Sequence, residues 1–206
     1  QVPLLRLDMG RLRGSLMGES ERRLRRALET AELAAPCVLW IDELEKAFAG
    51  LGQSHDSGVG QRMFGQFLTW LSDRHQPVFV VATANDITRL PPEFTRKGRF
   101  DEMFFVGLPN EQERRAIWEI HLKRPAAIAA NIDIDELVRC SNSYTGAEIA
   151  EAVVSAMFQA FDDGPREVSE EDMRQALAES IPMSVSHARQ IQNMIHWAGE
   201  NAVPAS

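Results

Sequence analysis

The sequence has few cysteines and no long hydrophobic run, and both absences narrow the protein class. Its two cysteines, Cys37 and Cys140, lie far apart, and Cys37 falls in a stretch predicted to be buried. We therefore expect no disulfide, and a reducing compartment is favoured. No apolar stretch approaches the about 18 residues needed to span a bilayer, so we expect no membrane partner.

The chain also lacks a concentrated basic face. Its formal net charge is -8, and the sequence pI is about 5.2. A nucleic-acid partner would require a basic surface, so none is expected. The one dense basic cluster contains Arg22, Arg23, Arg25 and Arg26, and glutamates surround it. On a helix, this mixture indicates either a self-paired solvated face or a contact with another subunit.

Several catalytic signatures are missing. The five histidines are scattered, with no HExxH pattern and no Cys/His spacing typical of a zinc site. No GxSxG pattern occurs, and Cys37 is predicted to be too buried to act as a nucleophile. The phosphate-binding pattern GxxxxGK[ST] is absent as well. These absences argue against zinc-dependent hydrolysis and against serine or cysteine nucleophiles.

An apolar run at residues 37–41 ends in two carboxylates, Asp42 and Glu43. A run that is apolar at every position predicts a central strand of a parallel sheet covered on both faces. Ligands of such sheets gather beyond the carboxyl ends of the strands. The pair suits nucleoside-triphosphate hydrolysis, with Asp42 holding the magnesium shell and Glu43 orienting and deprotonating water. Taken alone, the pattern also fits a buried strand that runs into a polar loop.

Two later segments carry polar groups that could join this carboxylate pair. The apolar run 78–84 ends at Asn85, which is either a turn former or an amide that positions the same water. The loop 96–99 carries Arg96 and Arg99. It is either a solvated basic loop or a pair of guanidinium groups aimed at a phosphate held by a neighbouring subunit.

The remaining pattern predicts an α/β part followed by helices. Strands are predicted at 3–8 and 103–108, with one helix beginning near Ser20 and another after residue 58. From Asn110 onward, cap residues stand three positions before an acid at Asn110, Asp133, Thr145 and Ser169. We predict an α/β part at 1–109, a small helical bundle at 110–183, and a C-terminal helix and tail at 184–206.

Together these features resemble the AAA+ ATPases, most closely the classical AAA clade and its branch found in algal plastids and cyanobacteria. The resemblance places Asp42 and Glu43 on the Walker B motif, Asn85 on sensor 1, and Arg96 and Arg99 on the arginine fingers. It places Leu16, Met17 and Gly18 on the first pore loop. It also places Gly146 and Ala147, within SYTGAEIAEA, on the helix start that packs near adenine and ribose.

The resemblance implies a P-loop-type parallel sheet with helices on both faces and a helical lid. It also implies ATP and Mg as cofactors, a homo-oligomeric ring, usually a hexamer, and a protein substrate. The location would be the cytoplasm, or the plastid stroma for an algal protein. Leu16 stands where the family often has an aromatic residue. Because the GxxxxGK[ST] loop is missing, we expect the chain to be a fragment of a longer ATPase and to be inactive alone. We also expect its sheet to lack the strand that, in the family, lies in space between the strands at 78–85 and 103–108. The alternative is a nucleotide-independent AAA-like scaffold, and a DNA-acting protein is disfavoured.

Overall fold

The computed structural model describes residues 1–12, 18–48, 58–87, 90–96, 98–123, 129, 132–162, 164 and 166–205. Two residues of the predicted pore loop, Leu16 and Met17, lie outside the described residues. The chain divides into two compact units, Gln1–Met103 and Phe104–Ser206. Each unit is described below by itself.

Three parallel strands form the sheet of the first unit. They are β1 (Leu4–Asp8), β2 (Cys37–Asp42) and β3 (Val78–Ala82), in the order β1-β2-β3. The run with the carboxylate pair is therefore the central strand, as predicted. In the register of the sheet, Asp8 lies beside Asp42, and Ile41 lies beside Ala82.

The helices of the first unit pack on one face of this sheet. They are α1 (Glu19–Leu33), α2 (Leu44–Phe48) and α3 (Val59–Asp73). Side chains alternate between the two faces of a strand, so one set in β2 enters the core. That set is Cys37, Leu39 and Ile41, and it packs with Leu24, Leu28 and Ala31 of α1 and Met63, Phe67, Leu68 and Leu71 of α3.

The other face of the sheet carries exposed apolar side chains, so the cover on both faces that the sequence predicted for β2 is not seen among the described residues of this unit. Leu4, Val38 and Phe79 lie in one row across the strands, and Phe79 remains 68% exposed. In the next row, the Arg6 guanidinium lies 4.7 Å from the centre of the Trp40 ring. This cation–π contact covers part of the central strand. Among the described residues, β3 pairs with β2 alone, so its second edge is open.

The second unit is a small helical bundle, as the sequence predicts. It contains α4 (Glu111–Leu122), α5 (Ile134–Cys140), α6 (Gly146–Asp162) and α7 (Glu170–Glu179). Its core surrounds the fully buried Trp118, whose indole N–H donates to the Ser141 hydroxyl at 3.0 Å. Two further helices follow, α8 (Met183–Ser186) and α9 (Ala188–Asn201).

The predicted helix caps are present. Asn110 and Ser169 each form a reciprocal capping box, with Glu113 and Asp172 respectively. The Asp133 carboxylate accepts backbone N–H groups at the start of α5. These contacts satisfy amide groups that have no partner within the first turn of a helix.

The segment predicted as the last strand of the sheet, 103–108, has a different partner. Only Phe104–Phe105 is a strand (β4), and it pairs in parallel with Val203–Pro204 (β5), in the segment predicted to be a helix and tail. Backbone amide and carbonyl groups need partners. The C-terminal residues supply them within the same unit, and the Ala205 N–H also donates to the Phe105 carbonyl at 3.0 Å.

The Asp172 carboxylate generates a stability prediction. Arg166 donates to both of its oxygens, at 2.6 and 2.7 Å, and the Ser169 hydroxyl donates to Oδ2 at 2.7 Å. The Arg166 guanidinium lowers the pKa of Asp172 well below its usual range. A lowered pKa contributes stability above the unfolded-state pKa, and this contribution is lost as the pH falls through the folded-state pKa.

We therefore expect Asp172→Asn to lower the free energy of unfolding by about 2 kcal/mol at pH 7. The difference from the unmodified protein should narrow as the pH falls below about 4. Urea denaturation at a series of pH values measures the free energy of unfolding of both proteins. Glu171→Gln is the matched control, since the Glu171 side chain is 74% exposed. Equal effects of the two variants would contradict the role given to Asp172.

Candidate functional site

Asp42 lies at the carboxyl end of β2, between one donor on β1 and one donor just after β3. The Thr83 hydroxyl donates to its Oδ1 at 2.7 Å, and Arg6 donates to its Oδ2 at 2.9 Å. The Thr83 hydrogen bond is the main cause that lowers the pKa of Asp42, and Arg6 lowers it further. Asp42 is therefore a fixed, ionised carboxylate at the carboxyl end of the central strand.

Glu43 adopts an unusual backbone conformation immediately after Asp42. Its φ of 53° lies in the left-handed region, which residues other than glycine and asparagine rarely adopt. The next residue, Leu44, already begins α2, and its N–H donates to the Thr83 carbonyl at 2.9 Å. One strained residue thus makes the turn from strand to helix, which is a feature found at functional sites.

The Glu43 carboxylate meets an amide and an ammonium group. Asn85 donates to Glu43 Oε1 across a long 3.4 Å contact, and Lys46 Nζ lies 2.6 Å from the same oxygen. This ion pair raises the pKa of Lys46. The structure therefore brings together Asp42, Glu43 and Asn85, three of the residues that the sequence singled out.

A buried acid supports the backbone of Asn85. Glu45 is only 4% exposed, and its Oε1 accepts the Asn85 N–H at 3.2 Å. Its Oε2 is buried and has no hydrogen-bond partner among the described residues. Burying a carboxylate lowers the stability of a protein unless its oxygens are hydrogen-bonded or paired, and one oxygen of Glu45 has only the Asn85 N–H as a described hydrogen-bond partner. Here the Glu45 carboxylate fixes the loop that presents the Asn85 side chain to Glu43.

Among the described residues, neither of the two predicted arginine fingers makes a hydrogen bond or ion pair with this carboxylate cluster. Arg96 is exposed and follows the 3-10 turn Pro92–Thr95. Arg99 is partly buried and donates to the Leu68 carbonyl and the Ser72 hydroxyl, both in α3. Within the described residues, the hydrogen bonds of Arg99 therefore go to α3 and not to the end of β2.

The other predicted site residues occupy helix starts. Gly18 precedes α1 with a φ of 82°, a conformation that favours glycine. Gly146 and Ala147 begin α6, in the second unit. A Cβ atom on Gly146 would lie 3.3 Å from Ile117 Cδ1, so α4 packs closely against this turn.

Sequence reasoning missed the contacts that Thr83, Arg6, Lys46 and Glu45 make with the site. The strand register offered one signal. Since Ile41 pairs with Ala82, continuing both strands by one residue places Thr83 beside Asp42. The ion pairs made by Arg6 and Lys46 depend on side-chain conformation and have no comparable pattern in the sequence.

The oxygen ligands available at this site fit a magnesium ion that is held through water molecules. Carboxylate and hydroxyl oxygens are ligands that Mg²⁺ prefers, and it commonly keeps several waters in its shell. Within the described ranges, no group of three or more His, Cys, Asp or Glu side chains could hold a metal ion directly. A phosphate cradle of the GxxxxGK[ST] type is not encoded in the 206 residues. Separately, none of the described helices is long and apolar enough to cross a bilayer.

Comparison with known families assigns this architecture. Residues 1–108 match the model of the ATPase family associated with various cellular activities (AAA). The chain belongs to the AAA family. Residues 131–175 match the AAA+ lid domain, which lies within the helical unit. The family resemblance and the fold class that were read from the sequence are thereby confirmed.

Relatives extend the comparison. The chain is 49% identical over 201 residues to the uncharacterized AAA domain-containing protein ycf46 of Pyropia yezoensis, covering 97% of this chain and 40% of that protein. It is 46% identical over 204 residues to the ycf46 protein of Guillardia theta, with 98% and 40% covered. It is also 31% identical over 182 residues to the ATP-dependent zinc metalloprotease FtsH 4 of Sphaerobacter thermophilus, with 85% and 27% covered.

The chain thus spans about 40% of the length of the ycf46 relatives. AAA proteins in general bind ATP with magnesium, and they commonly assemble as hexamers. The AAA family as a whole is associated with ATPase activity. These statements hold for the family, and their application to this chain is proposed below.

The left-handed backbone at Glu43 generates a test. Glycine has no Cβ atom and adopts this conformation without a steric clash, whereas the Cβ atom of alanine still clashes. Glu43→Gly and Glu43→Ala both remove the carboxylate and its contact with Lys46. We therefore expect the glycine variant to be more stable than the alanine variant by about 1 kcal/mol, as measured by urea denaturation. Equal stabilities would show that the backbone at residue 43 is not strained.

Proposed function

We propose that the full-length protein containing this chain hydrolyses ATP, with Glu43 as the base that activates water. The observation that supports this proposal is the contact between the Glu43 carboxylate and the Asn85 amide at the carboxyl end of the central strand. A carboxylate paired with an amide can orient a water molecule and accept its proton. The nearby ionised Asp42 supplies a second carboxylate with a separate role.

Each residue would contribute differently to the reaction. Asp42, held by Thr83 and Arg6, would bind water in the magnesium shell. Glu43 would take the proton from the attacking water, and Asn85 would restrain both. Magnesium, when bound with ATP, supplies charge stabilisation at the phosphate oxygens. Lys46 pairs with the base, so Glu43 must share or release that contact for proton transfer.

We further propose that Arg96 and Arg99 act on nucleotide bound by a neighbouring subunit of a ring. Arg96 is exposed, which suits such a contact. Arg99 uses part of its guanidinium on α3, and a guanidinium group has five N–H donors. The anchoring to α3 would hold the remaining donors in place. In this scheme, Gly146 and Ala147 would contact the nucleoside, and the first pore loop would include Leu16, Met17 and Gly18.

The proposed ring is a homo-oligomer, most simply a hexamer, that remodels a protein partner. Residues 1–109 would form the part that hydrolyses ATP, 110–183 the lid, and 184–206 the C-terminal helix and tail. The proposed location is the cytoplasm, or the plastid stroma if the source is an alga. The similarity to a protein named as ATP-dependent, FtsH 4, supports the use of ATP. With no GxxxxGK[ST] loop, the 206 residues alone should not turn over ATP.

Glu43→Gln in the full-length protein tests the assignment. We expect turnover to fall by about a hundredfold or more, because the amide cannot accept the proton, while ATP binding is retained. Phosphate release and binding of a fluorescent ATP analogue measure the two quantities. The control is Glu29→Gln, which removes an exposed carboxylate on α1 and should change neither. Turnover that is unaffected by Glu43→Gln would reject Glu43 as the base.

The alternative is a nucleotide-independent scaffold that retains the AAA shape, and the absent phosphate loop favours it. The two functions differ in how the protein assembles. We expect the full-length protein to shift to a larger oligomer when ATP and magnesium are added, as measured by analytical ultracentrifugation. An oligomeric state that is the same with and without ATP would favour the scaffold.

A further inference from the structure

Thr83 contacts both acidic residues of the site, Asp42 through its carboxylate and Glu43 through its backbone, although it is neither an acid nor a base. It is the first residue after β3 and is exposed. Its hydroxyl donates to Asp42 Oδ1 at 2.7 Å and accepts the backbone N–H of Glu43 at 3.1 Å. A hydroxyl group has one proton to donate and lone pairs to accept, so both functions are in use.

The backbone of Thr83 makes two further contacts with the same segment. Its N–H donates to the Ile41 carbonyl at 2.9 Å, and its carbonyl accepts the Leu44 N–H at 2.9 Å. These bonds already join the strand end to the start of α2. The hydroxyl is therefore not needed to close the turn. Its two bonds go instead to the carboxylate of Asp42 and to the residue with the strained backbone.

We infer that Thr83 is a positioning residue for the proposed hydrolysis, because its hydroxyl fixes the Asp42 carboxylate and the Glu43 backbone at the same time. The inference rests on the proposed function. The bond from the Glu43 N–H holds residue 43 in its left-handed conformation, and that conformation sets where the side chain meets Asn85. The bond to Asp42 restrains the orientation of that carboxylate.

Two substitutions separate the hydroxyl from the rest of the side chain. Thr83→Val keeps the shape and the β-branch but removes the donor and the acceptor. Thr83→Ser keeps the hydroxyl and removes one methyl group. A residue that acts only by filling space would be replaced better by valine than by serine. A residue that acts through its hydroxyl would be replaced better by serine.

The first measurement needs no activity. Amide hydrogen exchange, followed by NMR in the 206-residue protein, reads the Glu43 N–H directly. We expect Thr83→Val to lower the protection of this amide by about tenfold, the factor that corresponds to one hydrogen bond of ordinary net strength. The Leu44 amide, which bonds to the Thr83 carbonyl, serves as the internal control. Thr83→Ser should retain protection at both amides.

The second measurement is steady-state ATP hydrolysis by the full-length protein. We expect Thr83→Val to lower kcat by about tenfold with little change in KM, because the hydroxyl positions the base and does not bind the nucleotide. Thr83→Ser should recover most of the kcat. A space-filling role would not produce this split or this rescue.

The outcomes distinguish the inference from the function on which it rests. An unchanged kcat in Thr83→Val, or equal losses in the valine and serine variants, overturns the positioning role even if Glu43→Gln is inactive. Unchanged protection of the Glu43 amide in Thr83→Val removes its structural basis. If the unmodified full-length protein does not hydrolyse ATP, the proposed function fails and the catalytic role of Thr83 fails with it. In that case, lost protection in Thr83→Val would still show that the hydroxyl holds residue 43.

Discussion

The parallel register of β1, β2 and β3 is the constraint on which the site depends. It places the end of the central strand between Arg6 on one side and Thr83 on the other. Asp42 therefore receives one donor from each neighbouring strand segment. A shift of one residue in either pairing would turn these side chains to the opposite face. The sheet thus positions the Asp42 carboxylate through its own register.

The site combines this rigid pairing with two unfavourable features. Glu43 has a backbone conformation that costs stability, and Glu45 is a buried acid with one unpartnered oxygen among the described residues. Both features support the contact between Glu43 and Asn85, one through the turn and the other through the loop. Strain of this kind persists where surrounding contacts outweigh it. Here the aromatic and aliphatic core formed by α1, α2 and α3 beneath the strands supplies those contacts.

Much of the fold could be predicted because its signals are local. Unbroken apolar runs marked β2 and β3, and cap residues marked the helices of the second unit. The approach of Asn85 to Glu43 followed from two neighbouring strand ends. The role of Thr83 needed the register, which pairs strands far apart in sequence. The pairing of β4 with β5 left no local signal at all, because Val203 and Pro204 follow a helix and lie in a tail of small residues.

That last pairing bears on how the protein folds as it is synthesised. Every described strand of the first sheet lies within residues 1–103, so these three strands can pair with one another while the remainder of the chain is still being made. The helical unit cannot, since Phe104 must wait for Val203 to leave the ribosome. Until then, the backbone of Phe104–Phe105 lacks this partner and remains open to chaperones and proteases.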